Sequence, residues 1–312
     1  MKKISVITLV YNEAEAIKDV YANVKKVFDA IKGQYEYEHI FMDNCSEDET
    51  VSILKDIASR DKNIKILVYS KNFGPLKSEM TGYKYVTGDA AICYESSLKD
   101  PAGLIPVFIK HWEDGYQVVY GERTRTHDNF LMLFMRRAFY RIVRFFSDEK
   151  LPLDAGGFRL IDRGVINELI KLDDYKPYIR GLISSIGFKQ IGVKYVRGPR
   201  LKGHSKSSIN YLIDFAINAL VSYSVAPIRI CTYIGLSLSL LSFTAAIACI
   251  VIKLAFWNIV ISGLATVIIL ILLFFGVQLF FLGVIGEYIA AIHSQVRKKP
   301  FVVIHEKINF YN

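Results

Sequence analysis

One short segment, Gly88–Pro101, carries the side chains best suited to chemistry. It begins with an apolar run, Ala90–Tyr94, that predicts a buried strand. The polar residues that follow this run are Glu95, Ser96, Ser97, Lys99 and Asp100. Carboxylates, hydroxyls and a lysine can bind a sugar, a phosphate or a metal ion. Their position also fits a binding site, because ligands of open α/β sheets bind outside the carboxyl ends of the strands. A solvated loop in which Asp100-Pro101 begins the next helix fits the same residues, so both interpretations stay open.

Alternating strand and helix patterns predict the sheet that would position this segment. Apolar, β-branched runs predict strands at Lys3–Val10, Glu38–Met42, Ile64–Tyr69, Ala90–Tyr94 and Gln117–Tyr120. Helical spacing of apolar residues predicts helices over Ala14–Ile31, Glu49–Arg60 and Gly74–Val86. Strands that alternate with helices favour an α/β fold with a mostly parallel sheet. We expect the polar clusters Tyr11-Asn12-Glu13, Asp43–Ser46 and Glu95–Lys99 to share one crevice.

Composition and motif content exclude several classes of function. The sequence contains neither a GxGxxG nor a Walker motif, so neither a dinucleotide fingerprint nor a P-loop supports the sheet. The four cysteines lack CxxC spacing and the six histidines are dispersed, which argues against disulfides and zinc. The basic residues are scattered without a nucleic-acid motif, so we expect no nucleic acid partner. The net charge of +9 fits a protein held against anionic lipid headgroups.

Two apolar segments near the carboxyl end predict a membrane anchor. Ile230–Ile252 and Ile259–Ile285 contain no charged residue, and each exceeds the roughly 20 residues that cross a bilayer core as a helix. Arg229 precedes the first segment and Arg297–Lys299 follow the second, whereas the turn Lys253–Asn258 carries a single lysine. By the positive-inside rule, both termini lie in the cytoplasm and the turn faces away. We therefore expect a two-span protein of the inner (plasma) membrane.

These segments divide the chain into four predicted parts. They are a cytoplasmic α/β domain over 1–208, a juxtamembrane amphipathic helix over 209–228, a transmembrane hairpin over 229–289 and a cytoplasmic tail over 290–312. No signal peptide is expected, because the chain opens directly in a strand-like run. The pattern of Phe301–Ile308 suggests a terminal strand in the tail.

Three further segments each allow two interpretations. Phe130–Phe146 has a basic and an apolar helical face, which fits a membrane-surface helix or a helix packed on the sheet with solvated arginines. Leu153–Asp162 places Asp154 and Arg159 beside two glycines, which fits a loop approaching a ligand or a turn closed by an Asp–Arg pair. Arg197–Ser208 is rich in basic residues, glycine and serine, which fits a mobile anion-binding loop or a solvated linker.

Several ordered motifs resemble one known family. They are VYNE at Val10–Glu13, DNCSEDET at Asp43–Thr50, SKNFG at Ser70–Gly74, KDP at Lys99–Pro101, VVYGER at Val118–Arg123, DAGGFRLIDR at Asp154–Arg163 and GHSK at Gly203–Lys206. Together with the two apolar segments, they resemble the polyprenyl-phosphate glycosyltransferases of family 2, GT-A type. That family includes dolichol-phosphate mannose synthases and bacterial undecaprenyl-phosphate glucosyltransferases. The resemblance extends over nearly the whole chain.

The resemblance implies a Rossmann-like GT-A domain and a set of site residues. The family uses a nucleotide sugar and a divalent metal, Mg²⁺ or Mn²⁺, to place a sugar on the phosphate of a polyprenyl lipid. The implied nucleotide-sugar-binding residues are Val10, Tyr11, Glu13, Asp43, Ser46, Lys71 and Arg123. The implied phosphate- or lipid-binding residues are Arg159, Arg200, Lys202, Ser205 and Lys206. Asp154, on the acceptor side, is a catalytic candidate together with Glu95 and Lys99.

The central motif departs from the family pattern. Where the family typically has an aspartate, any residue and a second aspartate, this chain reads Glu95-Ser96-Ser97, and a DDGS-like segment reads Asp43-Asn44-Cys45-Ser46. Glu95 could supply one ligand to a metal, but serine is a much poorer ligand than aspartate. The ammonium group of Lys99 could instead supply the positive charge that a metal normally provides at the diphosphate.

Three functions therefore remain open from the sequence. The first is an active glycosyltransferase with an altered or absent metal site. The second is a degenerate homologue that binds lipid phosphate or a partner enzyme without sugar transfer. The third is a lipid-handling membrane protein whose cytoplasmic domain only recognises phosphate. The expected partners are a nucleotide sugar, polyprenyl phosphate and the membrane, and homo-oligomerisation stays open.

Overall fold

The structure, a computed structural model, describes residues 1–125, 155–198, 226–255, 263–297 and 299–310. Its strands are β1 (Lys2–Val10), β2 (Tyr35–Asp43), β3 (Ile64–Tyr69), β4 (Ala90–Cys93), β5 (Val118–Arg125), β6 (Ala155–Asp162), β7 (Gln190–Val196) and β8 (Ile304–Ile308). Its helices are α1 (Ile17–Ala30), α2 (Thr50–Arg60), α3 (Pro75–Tyr85), α4 (Ile105–Glu113), α5 (Arg163–Lys171), α6 (Ile179–Ile186), α7 (Ala226–Ala255) and α8 (Leu264–Val296). A 3₁₀ turn covers Ala102–Leu104. The predicted helix over Phe130–Phe146 and most of the juxtamembrane helix over 209–228 lie outside the described residues.

The described strands form one mixed sheet in the order β7-β5-β6-β4-β1-β2-β3-β8. At its centre, β1 pairs in parallel with β2 and β4, and β2 pairs in parallel with β3. Parallel neighbours require crossover connections, which α1, α2 and α3 provide. β6 and β8 run antiparallel to their neighbours. The predicted α/β fold is confirmed, with a parallel centre and mixed flanks.

Two apolar layers lie on opposite faces of this sheet. The alternation of β1 sends Ile4 and Val6 into one layer and Ile7 into the other. Helices α1, α2 and α4 cover the first face, and α3, α5 and α6 cover the second. Burial on both faces explains why the central strands read as continuous apolar runs.

Strand β6 corrects the interpretation of Leu153–Asp162. The sequence suggested a loop or a turn, but Ala155–Asp162 is a strand that lies between β4 and β5. Phe158 and Leu160 are fully buried from this strand. The adjacent glycines obscured the pattern because glycine is depleted in strand interiors.

The carboxyl-terminal segment returns to the sheet after the second long helix. β8 pairs antiparallel with β3, which confirms a terminal strand within the predicted Phe301–Ile308. The side chain of Asn309 then donates to the backbone oxygens of Ala58 and Ile64, at 2.9 and 2.8 Å. This return covers the edge of β3 that would otherwise present unpaired backbone groups.

Helices α7 and α8 contain two segments, Ile228–Ala245 and Leu273–Val296, that are long and apolar enough to cross a membrane. Their described apolar side chains are largely exposed. The last turn of α8 contacts the sheet domain, because Gln295 accepts a hydrogen bond from the backbone of Tyr175 at 2.8 Å and donates one to the carbonyl of Asp173. The two apolar helices were predicted, whereas this contact was not.

Candidate active site

The carboxyl ends of β1 and β2 bring Asp43, Ser46 and Asn12 together. The buried carboxylate of Asp43 accepts hydrogen bonds from the backbone N–H of Ser46, at 2.9 Å, and from its hydroxyl. The Ser46 hydroxyl oxygen accepts the backbone N–H of Asn12 at 2.8 Å. Burial raises the pKa of Asp43, although the hydrogen bonds from Ser46 oppose this shift. Two residues implied by the resemblance, Asp43 and Ser46, thus share one fixed loop.

Three of the four described non-glycine residues with a positive φ lie at this edge of the sheet, and the fourth, Asn309, follows β8. Asn12, Cys45 and Leu98 have φ values of 51°, 63° and 55°, in the left-handed region that non-glycine residues rarely occupy. They follow β1, β2 and β4 respectively. Strained residues of this kind persist only where surrounding contacts fix them, and they cluster at functional sites. The three loops therefore lie at the same edge of the sheet, and the single ligand crevice expected there stays a prediction.

Asn44 occupies the second acidic position of the DDGS-like segment and has a structural role. Its amide nitrogen donates to the Ser78 hydroxyl at 2.8 Å, and its amide oxygen accepts from the backbone of Phe73 at 3.3 Å. These bonds connect the end of β2 to the start of α3. An aspartate could not donate to Ser78 in this way while ionised.

Glu95 lies between two arginines. Its Oε1 accepts a hydrogen bond from Nη2 of Arg123 at 3.0 Å, and its Oε2 accepts one from Nη2 of Arg197. The Ser97 hydroxyl donates to the same Oε2 at 3.2 Å. Burial opposes the ionised form of Glu95, but the positive charges of Arg123 and Arg197 outweigh it and lower the pKa of this carboxyl. Glu95 and Arg123 were both site candidates, whereas the contact with Arg197 was not predicted.

Tyr195 and Asp100 contact the Nε atoms of the two arginines. The Tyr195 hydroxyl donates to Oδ1 of Asp100 and accepts from Nε of Arg123 at 3.3 Å. Nε of Arg197 donates to the same Oδ1 at 3.2 Å. Burial, followed by the negative charge of Glu95, raises the pKa of Asp100. Each arginine is thus anchored through Nε and presents its terminal nitrogen to Glu95.

This arrangement corrects one interpretation of Asp100. The 3₁₀ turn that follows begins without a side-chain cap, so Asp100 does not begin a helix as an N-cap. Its carboxylate is engaged by Tyr195 and Arg197 instead. The ion pair holds the end of β7 against the segment that follows β4.

The two glycines of β6 allow it to pass directly beside this cluster. A Cβ on Gly156 would lie 2.9 Å from both Nε and Nη2 of Arg123, and one on Gly157 would lie 3.0 Å from Oε1 of Glu95. These separations are shorter than ordinary van der Waals contacts. The paired glycines thus let a strand pass close to two side chains, and the expected approach to a ligand stays a prediction.

Arg159 lies apart from this cluster, against a different carboxylate. It is 5% exposed, and its Nη2 lies 3.4 Å from Oε1 of Glu79. The same Oε1 accepts the hydroxyl of Tyr83 at 2.9 Å. Burial disfavours the charged guanidinium, but the charge of Glu79 outweighs burial and raises the pKa of Arg159. The predicted phosphate-binding role of Arg159 would require this pair to open.

The remaining nucleotide-side candidates lie on the same edge. Val10 and Glu13 are buried and Tyr11 is half-buried. The backbone N–H of Glu13 donates to the Thr50 hydroxyl at 2.9 Å, which fixes the start of α2. Lys71, after β3, is exposed. Their predicted contacts with a nucleotide sugar stay predictions.

Lys99 is half-buried, and its carbonyl accepts the backbone N–H of Gly198 at 3.0 Å. This bond joins the loop after β4 to the residues after β7. Other predicted site residues lie outside the described residues, namely Asp154, Arg200, Lys202, Ser205 and Lys206.

The described side chains do not fit a divalent metal at Glu95. Within the described part of the chain, no three acidic, histidine or cysteine residues cluster as a metal site. Mg²⁺ and Mn²⁺ prefer carboxylate oxygens, but both oxygens of Glu95 already accept from guanidinium groups and the next candidate ligand is Ser97. Two positive charges in contact with the carboxylate would also repel a cation.

Comparison with known proteins shows the family of the chain. Residues 5–170 match the Glycosyl transferase family 2 model. The uncharacterized glycosyltransferase YkcC of Bacillus subtilis (strain 168) is 34% identical over 309 residues, covering 99% of this chain and 95% of the relative. The SfII prophage-derived bactoprenol glucosyl transferase of Shigella flexneri is 34% identical over 303 residues, covering 97% of each chain. The mannosyltransferase PcManGT from Pyrobaculum calidifontis, solved with GDP-Man and Mn2+, superposes with a TM-score of 0.47 at 15% identity, over 96% of this chain and 88% of that one.

The described strands form a mixed α/β sheet with a parallel centre, the class of fold that the resemblance implied. The chain belongs to glycosyl transferase family 2. It is a glycosyltransferase, and the first of the three functions left open by the sequence agrees with this class.

Proposed function

We propose that the protein transfers a sugar from a nucleotide sugar to a polyprenyl phosphate at the membrane surface. The observation that carries the proposal is the 34% identity to a bactoprenol glucosyl transferase over 97% of both chains. That span includes the two apolar helices as well as the sheet domain. Because the Shigella relative is named a glucosyl transferase, a glucose donor is the first to test.

The fold supports a lipid acceptor. Gln295, in the last turn of the apolar helix α8, is hydrogen-bonded to the backbone of Asp173 and Tyr175 in the sheet domain. The domain is therefore held at the end of a helix suited to a bilayer, where a lipid phosphate would lie. By the positive-inside rule, the domain and both termini are cytoplasmic in this proposal.

The proposed reaction depends mainly on stabilising the departing nucleoside diphosphate. An oxygen of the acceptor phosphate forms a bond to the anomeric carbon of the sugar, and the bond from that carbon to the nucleoside diphosphate breaks. Since a phosphate monoester is already anionic near pH 7, it needs little help from a base. Negative charge develops on the departing diphosphate, and cationic side chains fixed nearby would stabilise it. Asp154 remains the predicted acceptor-side residue.

The proposal is tested by lipid mass spectrometry. The full-length protein in sealed inside-out vesicles containing polyprenyl phosphate is incubated with UDP-glucose and a panel of other nucleotide sugars. We expect a new glycosyl phosphate lipid, formed without permeabilisation because the catalytic domain faces outward. Product in right-side-out vesicles only, or none with any donor, would contradict the orientation or the reaction respectively.

A degenerate homologue without transfer activity is the second candidate. The observation that favours it is the Glu95-Ser96-Ser97 sequence, in which the described side chains do not form a metal site. This candidate predicts binding of polyprenyl phosphate without any glycosyl lipid product in the same assay.

A further inference from the structure

We infer that Arg123 and Arg197 bind the diphosphate of the donor in place of a divalent cation. In the absence of substrate, the carboxylate of Glu95 occupies the position between these two arginines. This inference rests on the proposed function, because it deepens the role of that same site. It assigns Arg197 to donor binding, and it treats Glu95 as an internal anion that the substrate displaces.

The first support is the way in which the arginines are held. Each uses Nε for an internal contact, Arg123 with the Tyr195 hydroxyl at 3.3 Å and Arg197 with Oδ1 of Asp100 at 3.2 Å. Only their terminal nitrogens contact Glu95. If the carboxylate moved away, both guanidinium groups would stay in place. A site that keeps its position after losing one partner is preorganised for another anion.

The second support is access. The side chains of Arg123 and Arg197 are 16% and 18% exposed, and that of Glu95 is 29% exposed. Solvent therefore reaches the ion pair at the carboxyl edge of the sheet. A diphosphate could approach the terminal nitrogens from the same side and exchange with Glu95.

The third support is complementarity. A guanidinium presents donors in a planar fork that matches phosphate oxygens, and two such groups can neutralise a diphosphate without a metal. The loss of the second metal-binding carboxylate at Ser97 then has a physical reason. An aspartate there would add negative charge where the leaving group arrives.

The test measures nucleotide binding rather than turnover. Isothermal titration calorimetry follows UDP and GDP binding to the full-length protein in nanodiscs, with EDTA and with Mg²⁺. Wild type should bind one of them with affinities that agree within about twofold in the two conditions. Glu95→Gln should bind about tenfold more tightly, because a competing anion is removed. Arg197→Gln should bind at least about tenfold more weakly, and Arg197→Lys should recover part of the loss.

Two exposed positions far from the site provide matched controls. Glu168→Gln and Arg60→Gln make the same chemical changes on the surface helices α5 and α2, and they should leave affinity unchanged. A strict requirement for Mg²⁺, with weaker binding by Glu95→Gln, would overturn the inference and leave the proposed function intact. Absence of UDP and GDP binding by the wild type in every condition would also overturn the inference, whereas the proposed function is decided by the lipid product in the vesicle assay.

Discussion

Two carboxylate clusters with similar neighbours lie at opposite ends of the central strands, one near their amino ends and one at their carboxyl ends. The amino-edge cluster consists of Glu38 with Lys3, Lys65, Ser5 and Thr87, and the backbone N–H of Gly88 donates to the Ser5 hydroxyl beside it. The carboxyl-edge cluster consists of Glu95 with Arg123, Arg197, Ser97 and Gly157. Each pairs one glutamate with two cations and a serine hydroxyl, and each lies beside a glycine.

The clusters differ in solvent access and in the type of cation. The Glu38 side chain is 2% exposed and that of Glu95 is 29% exposed. Lysines serve the buried cluster as point charges, whereas arginines present forks suited to phosphate. At the amino edge no ligand can replace a buried carboxylate, so the cluster stabilises the fold. At the carboxyl edge the carboxylate can be replaced, so the same chemistry becomes a binding site.

The largest expected effect is on stability, where replacing Glu38 and replacing Glu95 should have different consequences. Glu38→Gln should lower the free energy of unfolding by about 3 kcal/mol, because it leaves Lys3 and Lys65 without their buried partner. Glu95→Gln should lower it by less than about 1 kcal/mol, since its arginines retain Asp100 and Tyr195. Thermal unfolding followed by circular dichroism measures both, and the Glu38 variant should melt about 6–12 °C lower.

Acid titration provides the control for this difference. Burial alone would raise the pKa of Glu38, but hydrogen bonds from Lys65, Ser5 and Thr87 lower it to about 2. Because the folded pKa lies below the ordinary value of 4.5, the stabilisation is complete above about pH 4.5 and is lost as the pH falls through about 2. The stability gap between wild type and Glu38→Gln should therefore narrow across this window. A gap that stays constant would show that the charge of Glu38 is not its source.

The next effect separates the two glycines. A Cβ on Gly88 would meet the backbone oxygen of Lys3 at 2.6 Å, whereas one on Gly157 would meet the end of the Glu95 side chain at 3.0 Å. Gly88→Ala should cost about 2–3 kcal/mol of stability because backbone cannot yield. Gly157→Ala should cost less than about 1 kcal/mol and alter UDP affinity instead, by displacing Glu95. Thermal unfolding and calorimetry on both variants check the pair, and equal destabilisation would remove the distinction.

Much of the fold was predictable because its signals are local. Apolar runs marked the central strands, as in Ile64–Tyr69, and helical spacing marked α2 within one residue of its start. The parallel centre of the sheet followed from their alternation. Strand β6 was missed because its glycines carry no strand signal and its pairing depends on tertiary neighbours.

The site was predictable only where its partners are close in sequence. Asp43 and Ser46 are three residues apart and were placed together by one motif. Arg197 meets Glu95 across 102 residues, and no periodicity or spacing records such a contact. The same holds for Arg159, whose partner Glu79 lies on another element. The sequence showed that the segment beginning at Arg197 is basic, but it did not show that Arg197 contacts Glu95.

The smallest expected effect separates the two serines. Ser5 donates to Glu38 at 2.6 Å and accepts the backbone N–H of Gly88 at 2.9 Å, and it is fully buried. Ser5→Ala should therefore cost about 1–2 kcal/mol, because it leaves buried groups without a partner. Ser97 makes a longer bond to Glu95, at 3.2 Å, on a half-buried loop where water can replace it. Ser97→Ala should change stability by less than about 0.5 kcal/mol.

Ser97→Ala also distinguishes the two accounts of the carboxyl-edge cluster. If Arg123 and Arg197 carry the diphosphate, UDP affinity in EDTA should change by no more than about threefold, since one hydrogen bond to a carboxylate that leaves the site is lost. If Ser97 were a ligand to Mg²⁺, its removal would weaken UDP binding only when Mg²⁺ is present. Calorimetry in the two conditions therefore separates the accounts, and a loss confined to the Mg²⁺ condition would make the carboxyl-edge cluster a metal site after all.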